Sequence, residues 1–169
     1  MAEIVKTEVI SLPNVKLIGR RYTDKDRNEY GNFSNYWGQW FSEGLFDKLR
    51  ACKGLKGISN DFIGAIRCTG NGFEYWIGIL MAPSDVAPEG FEQIDIEACS
   101  MFVCYVFGNR DNGELYSQST IDKCYEKLEK VGLHATERGW KFERYNCPRF
   151  TNPNKVGNVI LDYCISLED

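Results

Sequence analysis

Only one histidine, His134, occurs in 169 residues, and none of the seven cysteines stands in a CxxC pair. No paired ligands are therefore spaced for zinc, and an odd cysteine count does not complete a disulfide framework. The expectation is a reduced, cytoplasmic protein with no metal and no other cofactor. Positive charge is also in short supply. Lysine and arginine number 20 against 24 acids, the net charge is −4, and Arg20–Arg21 is the one adjacent arginine pair. Direct nucleic-acid binding, which needs a basic stripe to displace counterions, is not expected. No apolar run is long enough to span a membrane, and residues 1–8 are too charged for a signal core. The glycines at 70 and 72 mark a turn and not a phosphate loop, because neither a lysine nor a helix follows them.

What the chain has is apolar substance and rings. Apolar residues make up 43%, enough for a core without staples, and the length fits one domain over 1–169. Aromatics reach 14%, as ten Phe, nine Tyr and four Trp. Many of these belong to a core, but such a surplus also suits a cleft for flat, apolar or cationic ligands.

Periodicity gives one order of elements twice: strand, helix, strand, strand. In the first half, 15–22 reads as a strand, and 34 to about 49 reads as a helix with Tyr36, Trp37, Trp40, Phe41 and Leu45 on one face. Two apolar runs, 61–68 and 73–81, flank a Thr-Gly-Asn-Gly turn. In the second half, 100–107 is a strand, and 119 to about 131 is a helix opened by a Ser119-to-Asp122 capping box and closed at Gly132. The runs 140–147 and 158–166 form the second hairpin. Leu17 to Phe102, Ser34 to Ser119 and Phe73 to Asn158 are each 85 positions apart, while Cys68 to Cys147 is 79. The second hairpin loop, 148–157, is six residues longer than 69–72 and restores the offset. Residues 82–90 carry two prolines and a glycine and lead into a strand over 91–96. Halves of about 1–82 and 91–169 are each too small to cover their own sheet, so they share one core. The expected class is α+β: a mostly antiparallel sheet, two helices on one face, and a groove at the pseudo-twofold axis on the other.

Residues 75–81, 88–94, 101–107 and 140–145 follow one another in an order that resembles the GyrI-like family, the effector-binding domain of AraC- and MerR-type transcription activators. The resemblance covers nearly the whole chain. It implies a groove between the halves that takes small hydrophobic, planar or cationic ligands, for sensing or sequestration. The family glutamate falls on Glu143, with Phe142 and Tyr145 beside it. Drug-sensing members fuse this domain to a helix-turn-helix; this chain starts at the effector domain, so transcriptional regulation is not carried over. A protein partner, as for the gyrase-inhibiting members, or a second copy of the chain is the other class of contact implied. A free-standing branch of the family also implies an alternative, a hydrolase that opens cyclopropane-containing electrophilic toxins.

Alternation puts Lys141, Glu143, Tyr145 and Cys147 on one strand face and Trp140, Phe142, Arg144 and Asn146 on the other. Trp140 and Phe142 are then expected to meet the helices, with Glu143 and Tyr145 toward the groove. A carboxylate among rings is desolvated, which raises its pKa and favours a cationic ligand. Tyr36 and Trp37, in the first turn of their helix, are ring contacts implied by the resemblance, whereas Trp40, Phe41 and Leu45 read as core. Tyr105 shares a face with Met101, Val103 and Phe107. Tyr75 and Trp76 point oppositely, so one of them faces the groove. Were the protein an enzyme, Glu143 would be the general base and Tyr105 or Tyr145 the donor. Asn35, Arg67 and Arg144 are read as solvated, and Cys68, Cys99, Cys104 and Cys164 as small buried strand residues.

Overall fold

The computed structural model describes residues 1–52, 54–58 and 60–169. The chain divides into two compact units. The first is Pro13–Glu97; the second joins Met1–Leu12 to Ala98–Asp169. The class is α+β, and each unit carries four antiparallel strands among the described residues. The first unit contains β2 (Val15–Tyr22), α1 (Ser34–Ser42), α2 (Leu45–Arg50), β3 (Phe62–Thr69), β4 (Gly72–Met81) and β5 (Glu92–Ile96), with strand order β3-β4-β2-β5. The second contains β1 (Glu3–Leu12), β6 (Cys99–Asn109), α3 (Gln118–Lys130), β7 (Lys141–Tyr145) and β8 (Asn158–Ser166), in the order β1-β6-β8-β7.

The helix expected over 34 to 49 is two. Glu43 ends α1, and Gly44 turns the chain at φ 64° before α2 begins. That left-handed backbone is open to glycine at no steric cost, so the break is written into the residue. Expected in the core, Phe41 is 57% exposed, whereas Trp40 and Leu45 are buried. Under the two helices, Ile18, Tyr22, Tyr75, Ile77, Ile79 and Met81 of β2 and β4 meet Phe33, Trp40, Phe46 and Leu49.

The 85-residue offset survives in the strand pairing. Leu17 pairs with Leu80, and Phe102 with Ile165; Lys16 pairs with Met81, and Met101 with Ser166. It does not survive in the facing. Ile18, and not Leu17, lies under α1 and α2. In the second unit, Cys104 turns to α3, its Sγ donating to the Cys124 carbonyl at 3.9 Å, so Phe102 faces the helix and Val103 does not. A hairpin keeps its pairing when one strand slips forward and its partner back by the same step. Each such slip of one residue exchanges the faces.

No strand is expected from the sequence before Val15, yet β1 runs for ten residues and pairs with β6. Val9 lies opposite Phe102 as Ile94 lies opposite Leu17, so β5 repeats β1 at the same spacing of 85. The duplicated element therefore has four strands and not three. Its first strand pairs, in both copies, with the second strand of the other copy.

In α3 the cap is two residues earlier than expected. Ser117, with extended backbone at φ −68° and ψ 149°, accepts from the Thr120 amide at 3.2 Å, and Ser119 sits inside the helix. Ser117→Ala is expected to cost about 1 kcal/mol, a fall of roughly 2–4 °C in Tm at this chain length. Ser119→Ala should leave the melt nearly unchanged, and calorimetry of the two variants checks the difference.

Candidate functional site

Strand pairing decides where Glu143 points. Glu143 lies opposite Tyr163, and Tyr163 lies opposite Cys104, the residue that turns to α3. Residues directly opposite across an antiparallel pair share a face. Glu143, Tyr145 and Lys141 are therefore on the α3 side of their unit, and the Lys141 ammonium sits 5.6 Å from the Tyr125 ring centre on that helix. This reverses the expected facing. Phe142, fully buried, and Trp140 at 6.4 Å from it do not take the helix side. The face turned away from α3 holds buried Met101, Val103, Phe142 and Cys164 as well, so apolar character did not distinguish the two faces.

Glu143 is half-buried, and the Tyr145 hydroxyl donates to its Oε2 at 2.7 Å. Tyr145 is itself 8% exposed and is held by Phe150, edge-on with centroids 4.7 Å apart. Tyr116 approaches Tyr145 at 6.4 Å. Tyr116 is 39% exposed, and the partial burial of its ring pushes the phenol up, with the Glu143 and Asp111 charges adding to the push. The Tyr163 phenol is raised by burial first, then by Tyr125 and Glu143. Tyrosines this reluctant to ionise remain neutral donors across the physiological range. Glu143 thus stands among phenols from the turn before α3, from α3 itself and from two strands. Tyr116, Tyr125 and Tyr163 are additions to the expected set. Tyr163 was within reach of pairing arithmetic, while the other two depend on how a short turn and a helix rotate.

Tyr105 is elsewhere. Its strand neighbours Lys6 and Asp162 share its face, which is the one turned away from α3. The hydroxyl is hydrogen-bonded to Glu8 and the phenol is raised by burial, then by that bond. Lys6 and Arg149 approach its ring at 5.3 and 5.4 Å, and Arg149 binds the buried Asp162, its Nε donating to Oδ1 at 3.3 Å. A proton passed between Glu143 and Tyr105 would have to cross the sheet. Of the two donors expected for Glu143, the structure brings Tyr145 to it and places Tyr105 on the opposite face.

Tyr36, Trp37 and Tyr75 come together in the first unit. The Trp37 indole donates to the Tyr75 hydroxyl at 2.8 Å, Tyr36 lies 4.3 Å from Tyr22, and Phe33 stacks on Tyr75 at 4.4 Å. Of the alternating pair, Tyr75 faces the helices; Trp76 faces away and donates to Glu74 at 3.3 Å. Asn35 is exposed, as expected. Arg67, expected to be solvated, instead binds Glu74, which Arg21 also holds. Burial by itself raises the Glu74 carboxyl, but Arg67, Trp76 and Arg21 outweigh it and hold the pKa below the usual value. A depressed folded pKa gives stability that is present above the unfolded value, about 4.3, and is lost as pH falls through the folded one. Denaturant titrations from pH 7 to 3 are expected to show that loss, and Glu74→Gln to flatten it. Cys68, expected to be buried, is exposed, while Cys104 and Cys164 are buried and Cys99 is intermediate.

Among the described residues no group of three His, Cys, Asp or Glu side chains is arranged to hold a metal ion, and no helix is long and apolar enough to cross a membrane. No protein-family model matches the chain, and no curated protein matches it in sequence. Its fold does match solved structures. SAV2435 bound to tetraphenylphosphonium aligns with a TM-score of 0.70 at 14% identity, over 97% of this chain and 94% of that one. The C-terminal domain of EcmrR aligns at 0.63 and 13%, over 97% and 98%. This chain has the fold of these two structures, the fold that its GyrI-like resemblance implies. A putative bacterial transcription regulation protein from Staphylococcus aureus MU50 shares the same fold, with a TM-score of 0.69 at 12% identity over 97% and 99% of the two chains. At these identities the likeness is one of fold.

Proposed function

We propose that the second unit binds hydrophobic organic cations against Glu143, for sensing or sequestration. The observation that carries this reading is the half-buried Glu143 carboxylate, fixed by the Tyr145 hydroxyl within a wall of neutral tyrosines. A carboxylate removed from water is stabilised by a cation that replaces the lost hydration. Ring faces add about 0.5–2 kcal/mol for each well-placed contact. A lipophilic cation satisfies both demands and needs little directional fit. The structural neighbour SAV2435, bound to tetraphenylphosphonium, supports the ligand class.

The test is calorimetric titration of the full chain with tetraphenylphosphonium, set against a neutral compound of the same shape, tetraphenylmethane solubilised in cyclodextrin. Saturable binding of the cation alone supports the reading. Equal binding of both, or of neither, refutes it.

The hydrolytic alternative retains one structural support, the Tyr145–Glu143 hydrogen bond. In that reading Glu143 takes a proton from water, the oxygen attacks a ring carbon, and Tyr145 in place of Tyr105 protonates the departing carbon. Mass spectrometry of an electrophilic cyclopropane incubated with the protein is expected to show a gain of one water if this step operates. Recovery of the intact compound leaves binding alone.

A further inference from the structure

One polar group on the Glu143 side of this unit has no hydrogen-bond partner among the described residues. The Tyr125 hydroxyl, on α3, is buried and makes no hydrogen bond. Native structures rarely retain such a group unless something outside the chain completes it. Its surroundings tie it to the same wall. Tyr163 is the cross-strand neighbour of Glu143, and its phenol feels both the Tyr125 hydroxyl and the Glu143 charge. Lys141, on the same strand face as Glu143, holds its ammonium over the Tyr125 ring at 5.6 Å. That contact shows what this wall accepts, because an alkylammonium already rests against it.

Resting on the reading of Glu143 as a cation site, we propose that the ligand is a protonated amine carrying an oxygen acceptor on a short saturated linker. The ammonium goes to Glu143, and the oxygen accepts from Tyr125. The site then has two chemically distinct demands. Glu143 asks for positive charge, which any lipophilic cation supplies. Tyr125 asks for an acceptor, which tetraphenylphosphonium lacks. A pocket built around a buried donor rejects a ligand that leaves the donor unpaired far more strongly than an apolar pocket rejects an extra methylene.

Two nearly isosteric amines separate the demands. N-benzylethanolamine and N-benzylpropylamine differ by a hydroxyl in place of a methyl, and both are protonated near neutral pH. Their affinities for the full chain are measured by displacement of tetraphenylphosphonium. The wild-type protein is expected to prefer the ethanolamine by about tenfold. In Tyr125→Phe that ratio is expected to fall close to one, whatever change the two affinities share. Equal affinities in the wild-type protein overturn the proposal without recourse to any variant, and would mean that a resident water completes Tyr125. A preference that survives Tyr125→Phe overturns it too. The two levels fail separately. Tetraphenylphosphonium binding that is indifferent to Glu143→Gln sinks the cation site itself. Glu143-dependent binding with no preference for the hydroxyl sinks this inference alone.

Discussion

Gly78→Ala is expected to remove about 3 kcal/mol or more of stability, at the upper end of what overpacking costs. Gly78 and Gly19 lie opposite one another on β4 and β2, and the two backbones approach too closely for a side chain. A Cβ on Gly78 would stand 2.2 Å from the Ile18 carbonyl oxygen, and one on Gly19 would stand 1.9 Å from that of Ile77. Both obstacles are main-chain atoms within the ladder, so no rotamer change relieves them. The strands must separate, which breaks their hydrogen bonds and lifts the sheet from the core beneath α1 and α2. Against the 5–15 kcal/mol of a typical domain, this is a large share, and the corresponding fall in Tm is roughly 10 °C. The control is Gly38→Ala in α1. A Cβ there meets nothing within 4 Å, and helix propensity favours alanine over glycine by about 1 kcal/mol. Urea titrations are expected to move the two midpoints in opposite directions. If Gly78→Ala unfolds like the wild-type protein, the close approach of the strands is not a constraint on this sheet.

Glu143→Gln is expected to weaken tetraphenylphosphonium binding by on the order of a hundredfold. A unit charge about 5 Å from a carboxylate, at the effective dielectric near 20 that suits protein sites, gains about 3 kcal/mol. Glutamine keeps the volume and still accepts from Tyr145, so the variant subtracts charge and little else. What remains is contact with the rings, and that share should be indifferent to salt. Raising ionic strength should therefore weaken wild-type binding and leave the variant nearly unaffected. The same affinity in both proteins would show that the cation does not sit at this carboxylate.

The strand ladder was legible because hairpins announce themselves twice, through the turn residues at 69–72 and through apolar runs on either side. Residues 158–166 have the expected limits in the structure. Facing was harder. A period of two says which residues share a side but not which side meets a helix, and here both sides are buried. Phe142, the bulkiest apolar residue of its strand, lies opposite α3 for that reason. Strand β1 escaped because Glu3, Lys6 and Glu8 interrupt its β-branched residues, and its register is further disturbed by a bulge between Ile4 and Lys6. Glu143 and Tyr145 were legible as a pair, being two apart on one strand. Tyr116 and Tyr125 were not, since nothing local fixes the rotation of a 3₁₀ turn or of a helix to the precision of one side chain.

The exchange of first strands has a consequence for how the chain is made. Leu12 waits for Cys99 and Glu3 for Phe107, so the leading segment leaves the ribosome 87 to 104 residues ahead of the strand that receives it. During that interval residues 3–12 have no strand to pair with, and Leu12, buried in the folded chain, has no place to dock, so the nascent chain exposes an unpaired ribbon. Pro13–Glu97 by contrast contains both strands of its β2–β4, β2–β5 and β3–β4 pairs once translation passes Ile96. Synthesis therefore favours an order in which Pro13–Glu97 settles before Met1–Leu12 and Ala98–Asp169.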